Sequence, residues 1–468
     1  MKKSILVIGG GIAGLAAAVE LAANNLSVLL VEQKQHLGGR AFSFVDKKNG
    51  DDVDNGQHLM MGCYHSTLRL LNMIGSLPDV SLQPALRVVF RHPEKGKTEL
   101  HASSLPVPLH LLSGLLGLKS LSLSDRLSLL RVGAALMKAK PESDERLQRM
   151  TVSEWLLSLH QSEANRKYLW DILAIGTLND APDRVSASLF VNVLQAAFLG
   201  SRSDSAMVIP RKGLSRIFGE PAADFLRSHG CDVRLNTSVE RVVIRKNKVS
   251  EVKLSTGEVV TPDAVISAVP YFDLPKLFDE PTLRKFPEFN IADRFVSSPI
   301  VTIHLWFDME HGAVGGNDFV PEEFVALLHS PIHWIFNKTK ISGGRKNGLS
   351  YLSLVISGAE KFLAMKKEEI VALAVAELRR FFPESKNAVV RHSHVIKEKR
   401  ATFSPRVGTE QFRPSHITSL ENFFLAGDWT DTKLPATIEG AVHSGFACAE
   451  AVLRNSKHQS RFKNPSAR

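Results

Sequence analysis

The sequence has few of the patterns that define several classes of protein. Its 468 residues include three cysteines, Cys63, Cys231 and Cys448, which lie far apart and have neither metal-site nor disulfide spacing. No run of about 18 uncharged apolar residues occurs, so the sequence predicts no transmembrane helix. No signal peptide precedes the first apolar run, and no nucleic-acid-binding motif occurs. These absences argue against a secreted, an integral membrane or a nucleic-acid-binding protein and favour a reducing, cytoplasmic compartment.

The remaining composition is that of a globular enzyme. Hydrophobic residues make up 44% of the chain, and its length suffices for two intertwined domains with a large core. Among the seventeen histidines, His392 and His394 alternate in a predicted strand, but no carboxylate or cysteine beside them completes a ligand set. The sequence therefore predicts no metal site.

The amino-terminal residues form a complete dinucleotide-binding pattern. An apolar run at residues 4–8 leads into Gly-Gly-Gly-Ile-Ala-Gly at 9–14, and a helical stretch and a second apolar run ending on Glu32 follow. Gly9 permits the tight turn, and Gly11 lets a pyrophosphate approach the backbone. Free N–H groups at the helix start favour phosphate, and the Glu32 carboxylate suits a ribose. The residues of this unit predicted to bind a cofactor are Gly9, Gly11, Ile12, Ala13, Gly14, Glu32 and Gln33.

Two further glycine-containing segments lie at opposite ends of the chain. Leu-Gly-Gly-Arg at residues 37–40 follows Glu32 closely, where nicotinamide-dependent enzymes usually continue into the next crossover helix. Near the carboxyl terminus, an apolar run ends in Gly-Asp at 427–428, and a second loop opens a helix with small residues on one face near 437–438. These two segments indicate that a single cofactor is held between the two ends of the chain.

Together these segments resemble the superfamily of FAD-dependent amine oxidases and phytoene desaturases. The resemblance implies non-covalent FAD, with the Gly-Gly-Arg loop over its phosphates and ribityl chain and Asp428 bonded to a ribityl hydroxyl. It also implies that the helix start at 437–438 faces the electron-rich edge of the flavin and that the backbone of Val239 contacts adenine. The cofactor-binding residues implied in this way are Gly38, Gly39, Arg40, Val239, Gly427, Asp428, Thr437 and Ile438.

The order of the predicted elements indicates an α/β fold in which two domains share the chain discontinuously. We expect an FAD-binding, Rossmann-like domain of the GR2 type and an α+β substrate domain that faces the membrane. The FAD-binding domain is predicted to comprise residues 1–84, 205–280 and 395–455. The substrate domain is predicted to comprise residues 85–204 and 281–394, and residues 456–468 form a basic tail.

Three segments narrow the resemblance to the squalene-associated flavoproteins, the hydroxysqualene dehydroxylases. They are Asp-Asn-Gly-Gln-His at 54–58, Ile-Pro-Arg-Lys-Gly-Leu at 209–214, and the block at 427–440. The resemblance implies a step of squalene and hopanoid synthesis in which hydroxysqualene, a lipophilic C30 isoprenoid, loses its allylic hydroxyl as water. Reduced flavin would supply hydride to the allylic cation, and a general acid would protonate the hydroxyl. The candidate acids are His58, Asp180 and Asp183.

Other reactions fit the same motifs. Oxidative desaturation of a C30 or C40 polyene would run the flavin cycle in the opposite direction, and amine oxidation is a further alternative. No cysteine lies between Cys231 and Cys448 to link a flavin covalently, and four tyrosines make an aromatic cage for an amine harder to assemble. No second Gly-x-Gly-x-x-Gly unit is present, so electrons would come from weakly bound NADPH or from a separate reductase.

Residues 105–140 combine leucine with basic residues. The apolar stretch at 105–118 is too short to span a bilayer. It is followed by leucines at helical spacing and by Lys119, Arg126, Arg131, Lys138 and Lys140. Either a buried helix pair or an interfacial patch explains the pattern. The formal net charge of +10 favours peripheral contact with the anionic inner face of the cytoplasmic membrane.

Overall fold

The computed structural model describes residues 3–308, 318–345 and 348–463, with residues 456–463 as backbone only. Its strands, numbered along the chain, are β1 (Ser4–Ile8), β2 (Ser27–Val31), β3 (Ser43–Val45), β4 (Asp52–Asp54), β5 (Met60–Met61), β6 (Val80–Leu82), β7 (Arg87–His92), β8 (Gly96–His101), β9 (Met207–Pro210), β10 (Asp232–Arg234), β11 (Val239–Arg245), β12 (Lys248–Leu254), β13 (Val259–Val260), β14 (Ala264–Ser267), β15 (Ser297–Asp308), β16 (Phe324–Leu327), β17 (Trp334–Asn337), β18 (Leu349–Ser357), β19 (Val389–Phe403) and β20 (Phe423–Leu425).

The helices are α1 (Ile12–Ala23), α2 (His65–Met73), α3 (Leu112–Leu116), α4 (Leu123–Lys138), α5 (Glu145–Arg149), α6 (Val152–Ser158), α7 (Glu163–Asn165), α8 (Asp171–Leu178), α9 (Ala187–Phe198), α10 (Glu220–Ser228), α11 (Glu280–Lys285), α12 (Lys338–Ile341), α13 (Lys367–Phe381) and α14 (Ile438–Lys463). A single wider turn, of the π type, joins α7 to α8 at Arg166–Trp170, and another precedes α10 at Ser215–Gly219.

A five-stranded parallel sheet, in the order β10-β2-β1-β14-β20, carries the glycine motifs. Ile8 at the end of β1 lies beside Val31 of β2 and Ser267 of β14, so the carboxyl ends of these strands meet at one edge. The apolar residues of β1 and β14 are all buried, as expected for parallel strands covered on both faces. This sheet, together with the mixed helix and strand content, confirms the predicted α/β fold with its Rossmann-like unit.

Helices α1 and α14 cover one face of the parallel sheet and lie unusually close to each other. A Cβ atom added at Gly445 of α14 would lie 2.3 Å from the carbonyl oxygen of Ala13 and 2.8 Å from the Cβ atom of Ala16 in α1. Gly14 is equally constrained, because its added Cβ atom would lie 2.0 Å from the carbonyl oxygen of Gly9. Small residues on the two helices therefore let their backbones touch beside the predicted cofactor site.

A second sheet has seven strands in the order β19-β15-β18-β17-β16-β7-β8 and is antiparallel except between β16 and β7. Its side chains alternate between two apolar layers, as strand geometry requires. Val89 packs with Leu378 of α13 on one face, whereas Val88 and Phe90 pack on the other face with the leucine-rich helices between residues 112 and 198.

Two segments differ from the predicted domain limits. β19 pairs with β15 throughout Val389–Phe403, so the second sheet continues past the expected boundary at residue 395. Phe286, Phe289 and Phe295 lie between residues 281 and 296, yet they pack in the same cluster as Val265 of the parallel sheet. The sequence pattern could not show this, because aromatic residues suit either core equally well. The backbone of α14 also continues to residue 463, inside the predicted tail.

The leucine-rich segment forms α3 and α4. Leu129, Val132 and Leu136 of α4 are buried in the helical cluster, whereas other apolar side chains of the same helix are exposed. Among the described residues, no helix has the length and apolar character needed to cross a membrane. α4 therefore has one buried apolar face and one exposed apolar face.

We predict that Gly445→Ala lowers the free energy of unfolding by about 1–3 kcal/mol, because the new methyl group must push α1 and α14 apart. Urea unfolding followed by circular dichroism measures the change. Gly133→Ala in α4 is the matched control, because its added Cβ atom meets nothing within 4 Å. The control should raise the free energy of unfolding by about 0.5–1 kcal/mol, because alanine has a higher helix propensity than glycine. Equal effects at both sites would contradict the close contact between α1 and α14.

Candidate active site

The predicted cofactor residues meet at the carboxyl edge of the parallel sheet. Gly9 directly follows β1, Glu32 directly follows β2, and Gly427 lies two residues after the end of β20. Ligands of open parallel sheets bind at this edge, where loops leave the strands. The fold thus brings the two ends of the chain together in one place.

The glycine loop and the Gly-Gly-Arg loop form a cradle of backbone. The first helical bond of α1 runs from the N–H of Leu15 to the carbonyl oxygen of Gly11, so the preceding amides at 12–14 point out of the helix end. The N–H of Gly38 donates to the carbonyl oxygen of Gly10 over 2.8 Å. An added Cβ atom at Gly39 would lie 3.0 Å from the Cα atom of Gly11, so the backbones of the two loops lie close together at these glycines.

The Glu32 carboxylate is fixed by backbone donors. It accepts hydrogen bonds from the N–H of Gly10 at 2.7 Å and from the N–H of Lys34 at 2.8 Å. The carbonyl oxygen of Glu32 accepts from the N–H of Thr237, which brings the start of β11, and hence Val239, to the same side. Gln33 is exposed beside it. The part of the site around Glu32 and the start of β11 therefore suits the ribose and base of a nucleotide.

Arg40 joins three segments that lie far apart in the sequence. Its guanidinium donates to the Asp428 carboxylate over 2.6 Å and to the carbonyl oxygen of Ala401 in β19 over 2.5 Å. Because β19 belongs to the second sheet, Arg40 lies where the two sheets face each other.

Arg413, which the sequence did not single out, holds the loop after β20. Its side chain is fully buried and donates to the carbonyl oxygens of Asp428 and Thr430 and to the Thr432 hydroxyl. α14 then begins at Ile438, and the Thr437 side chain accepts from the N–H of Gly440, so the helix start lies where the sequence predicted it. A lone arginine before a loop carries no sequence signal for this role.

His58 lies between the Gly-Gly-Arg loop and the second sheet. Its Nδ1 atom is 2.7 Å from the carbonyl oxygen of Gly56, which can only accept, so Nδ1 carries a proton. An added Cβ atom on Gly56 would lie 3.8 Å from the His58 ring and 3.9 Å from the Thr302 hydroxyl of β15. Burial lowers the pKa of His58, so the ring is neutral near pH 7.

The two candidate aspartates have different surroundings. Asp180 is buried and fully occupied, since it pairs with Arg184 and accepts from the N–H of Ala181 at 2.7 Å and from the Ser404 hydroxyl at 2.5 Å. Asp183 is exposed on a turn. Neither arrangement resembles a proton donor facing a closed site, which leaves His58 as the candidate with the best geometry.

A buried polar cluster that the sequence did not predict joins β4 to α12 and to strands β15 and β18 of the second sheet. The Nζ atom of Lys338 lies 2.8 Å from the Asp54 carboxylate, and the two side chains are 6% and 1% exposed. Burial raises the pKa of Asp54, but Lys338, the Ser43 hydroxyl and the N–H of Leu214 together outweigh it and hold that pKa below the usual value. Nearby, the Tyr351 hydroxyl lies 2.7 Å from Nδ1 of His304, and burial lowers the pKa of His304 to about 3.

The residues at the sheet edge fit an FAD molecule. Gly39 leaves little room for a side chain, because its added Cβ atom would lie 3.0 Å from the Cα atom of Gly11, and the amides of two helix starts suit phosphate and the flavin edge. Cys448 is buried in the apolar layer between α1 and α14 and burial raises the pKa of its thiol, so this cysteine offers no reactive thiolate there. Non-covalent binding of the cofactor stays a prediction.

The chain belongs to the family of flavin-containing amine oxidoreductases, whose model matches residues 12–453. It is an FAD-dependent oxidoreductase of that family. Nearly the whole described fold lies within the match, including the Gly-Gly-Arg loop, the Gly-Asp motif near the carboxyl terminus, the candidate histidine and the second sheet.

Particular relatives are similar along nearly the whole of this chain. The chain is 28% identical to hydroxysqualene dehydroxylase of Rhodopseudomonas palustris over 97% of this chain and 99% of that protein. It is 26% identical to 15-cis-phytoene desaturase of Glycine max, over 97% of this chain and 80% of that protein. Among solved structures, an oxidoreductase from Methanosarcina mazei superposes with a TM-score of 0.74 at 16% identity, covering 96% of this chain and all of that one, and shows the same fold.

We predict that Lys338→Met lowers the free energy of unfolding by about 3–5 kcal/mol, because it leaves the Asp54 carboxylate buried without its counter-ion. The double variant Asp54→Asn/Lys338→Met should lose much less than the sum of the two single variants. Urea unfolding measures the free energy of unfolding of the wild type, the two single variants and the double variant. Arg149→Met is the control, because Arg149 and its partner Glu145 are 79% and 78% exposed and their pair should contribute less than about 1 kcal/mol. Additive single changes would contradict the coupling of Asp54 to Lys338.

Proposed function

We propose that the protein removes the allylic hydroxyl of hydroxysqualene reductively and releases squalene and water. In this reaction the C–O bond breaks and a C–H bond forms, and the departing hydroxyl takes up one proton. A bound, reduced FAD would supply the hydride for the new C–H bond. NADPH or a separate reductase would restore the two electrons.

The position of His58 carries the proposal. His58 directly precedes a segment that contacts an apolar wall, because Leu59 and Met61 pack against the leucine-rich helical cluster together with Ile300 and Trp334. A hydrocarbon chain suits such a wall, and a histidine at its edge suits proton transfer to a hydroxyl. The full-length similarity to a hydroxysqualene dehydroxylase supports the same substrate class.

One observation favours a second candidate, oxidative desaturation of a C30 or C40 polyene. Because Nδ1 of His58 donates to Gly56 and the ring is neutral near pH 7, Nε2 is ready to accept a proton. A base at this position suits removal of a proton from a hydrocarbon, and several of the similar proteins are phytoene desaturases. The two reactions therefore require opposite protonation states of the same ring.

Product analysis tests the proposed reaction directly. We expect the purified holoprotein, reduced without oxygen and given hydroxysqualene in detergent, to form squalene as the flavin absorbance returns. Gas chromatography with mass spectrometry identifies the product. Turnover of phytoene or dehydrosqualene by the oxidised protein, with no squalene from the reduced protein, would establish desaturation instead. Oxidation of an amine substrate would contradict both proposals.

The pH profile and a His58 variant test the role of the ring. Because burial lowers its pKa, the protonated, acidic form of His58 becomes more abundant as pH falls. If His58 is the acid, flavin reoxidation by hydroxysqualene should speed up from about pH 8 to about pH 5. His58→Gln should remove this slope and slow the reaction by about 100-fold or more. His101→Gln, at an exposed position of β8, is the control and should change neither.

A further inference from the structure

One helix of the second domain has two apolar faces, and only one of them is packed. Buried Leu129, Val132 and Leu136 anchor α4 in the helical cluster. Its other apolar side chains are exposed to an extent that an ordinary core helix does not show. They are Leu123 at 69%, Leu127 at 52%, Leu130 at 45% and Met137 at 60% exposure.

These four side chains form a continuous stripe, which we name the α4 stripe. At about 100° per residue, they fall within an arc of about 80°, and Ala134, also exposed, lies inside it. The stripe is about 21 Å long, and the buried face of α4 lies on the opposite side of the helix. Single exposed leucines are common on protein surfaces, but an aligned row marks a contact surface.

Positive charge borders the stripe. Residues 105–140 contain five basic residues and one acidic residue, Asp125, which is used in the capping box that starts α4. Arg131 and Lys138 are exposed and project about 60–80° from the centre of the stripe. Lys119 and Lys140, at either end of the helix, are exposed as well. Two further apolar side chains precede the helix, Leu105 and Leu109, and each is about half exposed.

We propose that the α4 stripe docks on the surface of an anionic lipid bilayer, with α4 lying flat at the headgroup level. An apolar row flanked by cations is the pattern of helices that bind in the bilayer interface. The leucine side chains move from water into contact with acyl chains, and the flanking cations contact lipid phosphates. The proposal depends on this surface alone and not on the proposed reaction, although a lipophilic substrate would be held in the same bilayer.

Flotation of the holoprotein with lipid vesicles tests the proposal. Wild type should float with phosphatidylcholine vesicles that contain about 30% phosphatidylglycerol, and much less with phosphatidylcholine alone. Leu127→Gln/Leu130→Gln should weaken binding by at least about tenfold, because the apolar contact is lost. Arg131→Gln/Lys138→Gln should weaken binding by about fivefold for each cation, and the loss should shrink in about 0.5 M salt.

Matched controls separate this surface from general charge attraction. Val259→Gln and Ile417→Gln change side chains that are 53% and 62% exposed elsewhere on the molecule, so they should leave flotation unchanged. Bound FAD and circular dichroism confirm that each variant is folded. Because all of these side chains are exposed, we expect folding to be retained.

Three outcomes would overturn the proposal. One is vesicle binding that Leu127→Gln/Leu130→Gln does not change, which would assign binding to net charge. Another is the absence of flotation at any lipid composition. The third is a wild-type dimer without lipid that dissociates in the same leucine variant and does not bind vesicles, which would make the stripe a contact between two copies. Sedimentation velocity measures this last possibility.

Discussion

The arrangement of the site depends on the contact that Arg40 makes between the two halves of the molecule. A single guanidinium binds Asp428, at the edge of the parallel sheet, and the backbone of β19, in the other sheet. Neither half alone presents both partners. The planar fork of an arginine can hold two acceptors at once, which an ammonium group does less well. The position of the second sheet relative to the cofactor edge therefore follows from this side chain and from the glycine contacts beneath it.

The buried pair of Asp54 and Lys338 adds a second constraint at the same joint. Removing two charges from water is costly, so such a pair contributes little net stability compared with apolar packing. Its effect is on geometry: the Asp54 carboxylate also accepts from the Ser43 hydroxyl and from the N–H of Leu214. Asp54 thus fixes the strand that leads into His58. A site that must place one ring between a cofactor and a hydrocarbon needs this kind of support behind it.

The parts of the fold that are local in sequence could be predicted, and the parts that depend on distant pairing could not. β1, α1 and β2 follow from an apolar run, a glycine loop and a helical pattern within 32 residues, and the structure has them at almost the predicted limits. Lys338 carries no such signal, because 284 residues separate it from Asp54. The continuation of β19 past residue 395 was missed for a similar reason, since its length is set by pairing with β15 and not by its own composition.

The protonation state that His58 has in its buried position bears on which of the two proposed reactions it would suit. The sequence proposed this ring as a candidate acid but could not give its protonation, because that depends on burial and on a carbonyl oxygen two residues earlier. A neutral ring that donates through Nδ1 has Nε2 ready to accept, whereas protonation of a hydroxyl requires Nε2 to be charged first. Burial that lowers the pKa makes the charged ring scarcer and also a stronger acid. If His58 has the proposed role, a protein that works reductively delivers a proton to this ring in each cycle, and one that works oxidatively removes it. The source or sink of that proton would then distinguish the two proposed reactions.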